Sequence, residues 1–450
     1  MAMAKATKES RRLYCFSNDE VIKERIEEIR GQVQFATLEP KYAWIIHKAI
    51  VAKTFNKEYV KKGFSLRKKS NSKALEQKPS LKIGTLSWLF GGNDKSIKEV
   101  VDNLILWGII KHHMNYMVGK SATRYKLTSK WESEPVTMRR YFGRKGSLIY
   151  KLNHQWQERL KIPIVAATQT IYNQHVRLSE EGIRFIQQKY PDPRINNIAE
   201  ALRGGYFEDN KEDLQNSLVG FPVASQDVVL MSFFIRDLYC NPPGKGKRLY
   251  HSITNLKREY RRFLLLAGEP IKEVDISNSQ PTFAAAFLIR MHRNLFPDHP
   301  QPDDLLLMME LCRLGQFYER IAQQAGINLN SENRSKFKED FFEQVFYARV
   351  TESQRRIKTA FRILFPTVYT MISGIKKENH KTFPLMMQDL EADLMVYTVY
   401  QQLLEEGYIV LVLHDAILCA TEKGVRRAKE LTRQAFLEWF GQEISFKGEV

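Results

Sequence analysis

Residues 408–413 (YIVLVL) form an uninterrupted apolar run that stops at His414-Asp415 and resumes as AILCA. A run this short and this apolar reads as a strand buried on both faces. An aspartate at the end of such a strand is costly unless it is paired or metal-bound. A second segment closes the same way. Residues 270–276 (PIKEVDI) read as a short strand ending on Asp275, followed by Ser277-Asn278-Ser279-Gln280-Pro281 and a helical FAAAFLIRM. The two aspartates are 140 positions apart and meet only if their strands are neighbours in one sheet. Together they would make a site for hard cations, which take oxygen ligands. Strand-end aspartates also serve as turn and helix caps, so neither is informative by itself.

Between them, in NRSKFKEDFFEQVFYARV, Arg334, Lys338, Phe342 and Phe346 recur every four residues. Each step drifts by about 40°, so the four form one slowly turning helical stripe about 18 Å long. Cations suit a triphosphate, and aromatic rings suit stacking on a base or excluding water beside it. An amphipathic helix with a basic end produces the same pattern, so this segment also gains meaning only from its company.

The charge is unevenly placed. Residues 1–150 carry 30 Lys and Arg against 14 Asp and Glu, a net +16, whereas the remaining 300 carry 39 against 37, a net +2. Such asymmetry points to a polyanionic partner, nucleic acid rather than lipid, because no basic amphipathic anchor is evident. A basic surface kept for solubility is the alternative. At 450 residues, with 43% apolar and 27% charged side chains, the chain suits two or three globular domains. Its four cysteines, Cys15, Cys240, Cys312 and Cys419, have no short pair spacing. That excludes a disulfide framework and a CxxC zinc site and fits a reducing cytoplasm. No run approaches 18 apolar residues, and MAMAKATKES leads into charge, so neither a membrane span nor secretion is expected.

Residues 18–30 read as a charged helix in an N-terminal arm, and Tyr42 to about Tyr59 as a helix carrying Trp44, Ile45, Ala49, Ala52 and Phe55. After a Lys/Ser/Asn-rich loop come two helical patterns, LKIGTLSWLF and SIKEVVDNLILWGII, with Asp94 as N-cap of the second. That helix ends at Gly108, and two strand-like pieces follow, IIKHHMNYMV and ATRYKLTSKW, turning at Gly119-Lys120-Ser121. Helix, turn, helix and basic hairpin over residues 40–131 resemble a winged helix-turn-helix. The resemblance implies a recognition helix bearing Lys95, Lys98 and Asn103, and a wing bearing Lys120, Arg124 and Lys126. A helix fits the major groove while wing cations meet phosphates; winged helices also serve as protein-binding modules. Residues 132–243 read as helical stretches alternating with loops (RYFGRKGSLIYKLN, SEEGIRFIQQKY, NIAEALRG, VLMSFFIRDLYC), up to a clear boundary at NPPGKGKR.

Taken in order, four stretches of residues 245–450 resemble the palm and fingers of the family A DNA polymerases and the phage-type single-subunit RNA polymerases. GKRLYHSITNL around Arg248 is similar to the family's duplex-contacting segment. EVDISNSQPTF resembles its first metal motif, which implies Asp275 and the Ile276 carbonyl as ligands. The Arg334/Lys338/Phe342/Phe346 stripe is similar to the nucleotide-binding fingers helix. MMQDLEADLMVYTVYQQL, with Gln388, Ala392 and Asp393, and then LVLHDAI resemble the closing motifs, with His414 near the primer end and Asp415 as second metal ligand.

The resemblance implies nucleotidyl transfer with two Mg²⁺ on Asp275 and Asp415. Lys338 would face the α-phosphate, Arg334 the outer phosphates and Gln280 the sugar. Arg248, Gln388 and His414 would touch primer or template. The partners it implies are DNA and nucleoside triphosphates, and the compartment is the cytoplasm, at the nucleoid. The sequence also departs from the pattern. Ala416 stands where the DNA enzymes carry a further acid, and Gln280 where they carry a glutamate that blocks a ribose hydroxyl, so sugar choice stays open. Tyr347-Ala348 replaces the tyrosine-glycine pair one residue late, leaving the template-base role to Phe346 or Tyr347, the latter preferred.

The expected fold is therefore multidomain α+β. It consists of an N-terminal charged arm (1–39), a winged-helix domain (40–131) and a helical connector (132–243), thumb-like or a spacer. A right-hand polymerase core with a small antiparallel sheet follows, as palm (244–290), fingers (291–384) and palm again (385–450).

Overall fold

A computed structural model describes residues 9–18, 20–29, 35–55, 94–114, 124–143, 145, 147–243, 247–348 and 355–449. The fold is mixed α+β, mostly helical, with several small sheets whose strand pairs are all antiparallel. No helix among these residues is long and apolar enough to cross a membrane. The chain divides into two compact units, one from Met1–Ile162 and Glu181–Asp237, the other from Pro163–Glu180 and Leu238–Val450.

In the first unit β1 (Glu9–Phe16) is followed by α1 (Glu20–Ile29), α2 (Phe35–Phe55), α3 (Asp94–Leu106), the β2–β3 pair (Ile110–Met114, Arg124–Leu127), β4 (Val136–Gly143) and α4 (Leu148–Leu160). β1 and β4 pair over their whole length, from Glu9↔Gly143 to Phe16↔Val136. Leu13, Cys15, Phe16, Val136 and Met138 are buried, as are Tyr42, Trp44, Ile45, Ile46, Ala49 and Ile50 of α2. α3 ends as its glycine foretells. Gly108 takes φ +69°, its N–H donates to the Ile105 carbonyl and that of Ile109 to the Leu104 carbonyl, both at 2.9 Å. This is a left-handed helix stop, which a residue with a Cβ adopts only under strain.

Several expectations are corrected here. The N-terminal arm is not separate, because its first described residues are a strand buried against β4. RYFGRKGSLIYKLN is not one helix: its first residues belong to β4, and a helix begins only at Leu148, where the Ser147 side chain accepts from the Tyr150 N–H. The cross-chain partner β1 decides this, and no local pattern reports it. The connector is not one body either, since Pro163–Glu180 belongs to the second unit. α2 starts seven residues earlier than Tyr42, and Asp94 is the first residue of α3 rather than its cap. LKIGTLSWLF, the loop before it and the turn at 119–121 lie outside the described residues.

The second unit is built on a three-stranded sheet of β5 (Lys272–Asp275), β6 (Val410–Leu413) and β7 (Ala416–Cys419), in the order β5-β7-β6. Every residue of β6 and β7 is buried. α5 (Pro163–His175) contributes Tyr172, whose hydroxyl meets His251 Nδ1 at 2.5 Å, while His251 Nε2 meets the Val412 carbonyl at 2.5 Å. A carbonyl only accepts, so Nε2 carries the proton and Nδ1 takes the hydroxyl's. Burial accordingly holds His251 neutral, with its pKa pushed down to about 4.

α6 (Ser279–Leu295) buries Phe283, Ala284, Ala285, Ala286, Leu288 and Ile289, and Phe283 meets Phe436 of α10 (Glu422–Phe440) edge-on at 5.3 Å. α7 (Phe317–Gln324) and α8 (Arg334–Phe341) share an aromatic core in which Phe317 and Phe341 lie 5.3 Å apart. α8 runs into a π-helical turn, Phe342–Phe346, and the buried Lys376 Nζ donates to the Val345 carbonyl there at 2.8 Å. α9 (Thr382–Leu394) leads back towards β6.

Candidate functional site

The β6–β7 connection is a two-residue turn, His414-Asp415, since Leu413 and Ala416 are themselves paired. His414 takes φ +59°, a place that glycine fills without strain in such turns. Left-handed backbone at a non-glycine residue costs about 1–3 kcal/mol and gathers at functional sites. The aspartates therefore meet differently from the expectation. Their strands share a sheet but are not neighbours, because β7 lies between them. Asp275 pairs with Ala416, and continuing that register by one residue sets Ile276 against Asp415. The hairpin turn, rather than the strand itself, carries Asp415 to its partner.

Asp275 is 8% exposed, and its Oδ1 is buried without a hydrogen-bond partner among the described residues. Lys447 Nζ makes an ion pair with Oδ2. Burial, and then the charge of Asp415, push the Asp275 carboxyl up to about 6 against the pull of Lys447. On the outer edge of β5, the Ser277 N–H donates to the Ser445 carbonyl and the Lys447 N–H to the Asp275 carbonyl, both at 2.9 Å, around an Ile276↔Phe446 bridge. Peptide groups alternate along a strand, so the Ile276 carbonyl points the other way, to the β7 edge where Asp415 sits.

An orphaned carboxylate oxygen, a second carboxylate and a carbonyl aimed at the same edge fit a hard cation of the Mg²⁺ kind. Among the described residues no group of three or more His, Cys, Asp or Glu is placed to hold a metal. The protein donors to such a cation would thus be Asp275, Asp415 and the Ile276 carbonyl, with the rest of its shell left to water or ligand.

A third acid lies close by and was not foreseen. Glu391 of α9 is 1% exposed, pairs with Arg248 and accepts from Ser279 Oγ at 3.4 Å. Burial, and then Asp415, raise its pKa, while Arg248 pulls it back. Arg248 is therefore seated on Glu391 within reach of the Asp415 charge. The spacing of Glu391, three from Gln388 on one helix, was the available signal. Next to Arg248, Lys247 holds Asp393 at 2.5 and 2.8 Å. The Tyr250 ring meets His414 edge-on at 6.0 Å. Gln280 is half-buried in the first turn of α6.

The stripe on α8 divides. Arg334 and Lys338 are half-buried and stand over the Tyr318 ring, 5.8 and 5.0 Å from its centre, and Arg334 Nε donates to Glu319 Oε1 at 2.8 Å. Burial lowers the Lys338 pKa, with Arg334 and Lys447 acting in the same direction and Asp275 against them. Lys338 thus shares an electrostatic neighbourhood with Asp275, and Asp415 bears on the buried Tyr318 hydroxyl beneath both cations. Nothing in the sequence flagged Tyr318 or Lys447.

Beyond Lys338 the π-turn breaks the four-residue register. Phe342 is half-buried, and Phe346 is 0% exposed, packed on Phe341, Phe342 and Phe383. Phe346 is a core residue with no face open to a ligand, which corrects its candidacy for the base pocket. Tyr347 is the open ring at 41% exposure, and its hydroxyl accepts from Gln388 Nε2 at 3.0 Å.

In the first unit Asn103 donates to the Tyr42 hydroxyl at 2.6 Å, so it faces α2 rather than a groove. The exposed positions of α3 include Lys98, Glu99, Asp102 and Leu106, a mixed face rather than a basic one. Lys126 on β3 is half-buried. Lys120, and the side chains of Lys95 and Arg124, lie outside the described residues.

No protein-family model matches the chain, and no curated protein matches it in sequence.

Proposed function

We propose that the second unit performs template-directed nucleotidyl transfer, as a minimal DNA polymerase of the family A type joined to a DNA-binding first unit. The observation that carries this reading is the meeting of Asp275 and Asp415, from distant segments, within the electrostatic reach of Lys338, which shares the Tyr318 ring with Arg334. Mg²⁺ held by Asp275, Asp415 and the Ile276 carbonyl would supply charge neutralisation at the transferring phosphoryl group. The chain's own side chains do the rest. Lys338 and Arg334 bind and orient the triphosphate, giving fixed positive charge where negative charge develops. Tyr318 backs both cations and keeps water from one side of them. Phe342 and Tyr347 bound the base pocket, with Gln280 beside the sugar. Arg248, held by Glu391, and His414 with Gln388 meet the primer–template strands.

The basic first unit supplies DNA affinity through a winged-helix-like domain. DNA binding joined to a polymerase core suits replication of a small plasmid- or phage-type element in the cytoplasm, at the nucleoid. A second reading, an RNA polymerase or primase, draws on Gln280 and Ala416, because the site has no glutamate at the sugar and no acid after Asp415. A third draws on Lys447, which already neutralises Asp275: an origin-binding initiator or repressor whose palm is inactive.

The test is labelled-nucleotide incorporation by the purified chain on single-stranded template, with and without primer, with dNTPs and NTPs in parallel and Asp275→Ala as control. Incorporation of dNTPs that the control loses establishes the first reading. Activity with NTPs alone establishes the second. DNA binding without any incorporation leaves the initiator.

A further inference from the structure

The segment Ser445–Glu449 follows α10 and returns along the outer edge of β5. Gly441, at φ +63°, ends the helix and starts the return. Two backbone hydrogen bonds to Asp275 and Ser277 hold it as a short strand, and Ser445 Oγ donates to the Arg313 carbonyl. Phe446 is fully buried beneath Arg433 and Lys429, which stand 5.0 and 5.5 Å from its ring. The Glu449 carboxylate takes Lys429 at 2.6 Å, Arg433 at 2.8 Å and the Phe446 N–H at 3.1 Å. The segment is thus anchored by its backbone, by Phe446 and by Glu449. None of these anchors involves the Lys447 ammonium.

Side chains alternate along a strand. With Ile276 and Phe446 opposed and both buried, the pair Asp275 and Lys447 falls in register on the other face. Asp275 therefore has Lys447 across one edge and Ala416, a methyl group only, across the other. The lysine takes Oδ2, while Oδ1 is left buried with no hydrogen-bond partner among the described residues. The Lys447 side chain remains 60% exposed, against 10% for Asp275. An ammonium so placed can return to water without disturbing the segment that delivers it.

We propose that Lys447 is the resident counter-cation of Asp275, and that a divalent cation enters the site by displacing it. This rests on the reading of Asp275 and Asp415 as metal ligands. Between ligands, the lysine keeps a buried carboxylate from standing uncompensated. On loading, the cation takes over the carboxylate and the ammonium moves off Oδ2 into solvent, with no bond made or broken and no proton transferred. Metal affinity is therefore set by a competition inside the chain.

The experiment is a Mn²⁺ titration of the full chain without nucleotide or DNA, with free Mn²⁺ followed by its electron-spin resonance signal. Wild type is compared with Lys447→Met, Lys447→Gln and Asp275→Asn. Both lysine variants should bind Mn²⁺ about two- to fivefold more tightly, the range set by loss of an ion pair whose cation is exposed, and Asp275→Asn should lose the site. Two neutral variants guard against one of them misfolding, and a circular dichroism melt of each shows which are native. Equal or weaker binding by the lysine variants, with Asp275→Asn still null, would overturn the competition and leave the metal site standing. Absence of Mn²⁺ binding from every native variant, wild type included, would remove the metal site and the proposal together.

Discussion

The Gln388 amide donates to the Tyr347 hydroxyl at 3.0 Å, tying the last exposed ring after α8 to the helix that leads into the β6–β7 hairpin. The two residues are 41 positions apart, and their bond joins the end of the π-turn to α9. Because both ends touch water, Tyr347→Phe should shift the melting temperature by no more than about 2 °C, as for other surface changes. Its effect should fall on nucleotide KM, raised about 2- to 10-fold by loss of one ordering hydrogen bond. Steady-state kinetics beside a thermal melt separates the two effects.

Arg334 and Lys338 share the Tyr318 face but differ in support, since among the described residues only Arg334 has an acid, Glu319, within hydrogen-bond reach. Alanine at either should reduce kcat/KM for nucleotide by about 2–4 kcal/mol, the usual loss for one preorganised charge-stabilising donor. DNA affinity measured by fluorescence anisotropy should be unchanged. A proportional fall in DNA binding would relocate both cations from triphosphate to nucleic-acid backbone.

The Arg248–Glu391 pair is nearly dry, with side chains 15% and 1% exposed. Glu391→Ala strands the guanidinium and should cost about 3–5 kcal/mol in urea unfolding. Arg248→Met combined with Glu391→Leu should recover most of that, because an apolar pair of similar volume replaces two buried charges. A double variant less stable than Glu391→Ala would mean that the pair is stabilising in its own right.

Asp275 makes stability depend on pH. Its carboxyl sits at about 6 in the folded chain against 3.8 ordinarily. Below about pH 4 it is protonated in folded and unfolded chains alike. Between pH 4 and 6 the unfolded chain releases this proton first, so stability falls as pH rises, by about 3 kcal/mol once both forms are ionised. In EDTA, Asp275→Asn should therefore gain on the wild type across that window and hold a constant advantage above it. Denaturant titrations at half-unit pH intervals measure the difference directly.

Phe346 and Phe342 should separate cleanly. Phe346→Ala empties a fully buried site and should cost about 3–5 kcal/mol, whereas Phe342→Ala, half-buried, should cost less and act mainly on nucleotide use. Chemical denaturation of both variants checks the ranking.

Much of the second unit was legible because its signals are local. The apolar run before His414 and the strand closing on Asp275 fall where hydrophobic pattern places them, and the helix expected after Pro281 is there but starts earlier, at Ser279. Pattern could not report that β7 intervenes between β5 and β6, since pairing order is a property of distant segments. Nor could it report Lys447, which reaches Asp275 only because Phe446 and Glu449 pin a later segment to β5. A four-residue period implies a regular helix, so the π-turn that buries Phe346 was invisible too. In the first unit, the end of β4 read as helix because its strand partner, β1, lies more than a hundred residues upstream.

The hairpin turn of only two residues has a consequence for how this chain can vary. Loop length selects the turn type and the register of its strands, so one residue added or lost between Leu413 and Ala416 would change the turn that places Asp415 and the pairing of β7 with it. The spacing of the carboxylates is counted out in peptide bonds. Substitutions around the site can be absorbed by neighbouring side chains, but a change of length here cannot. Functional variants recovered from a random insertion and deletion library should therefore contain none within His414-Asp415.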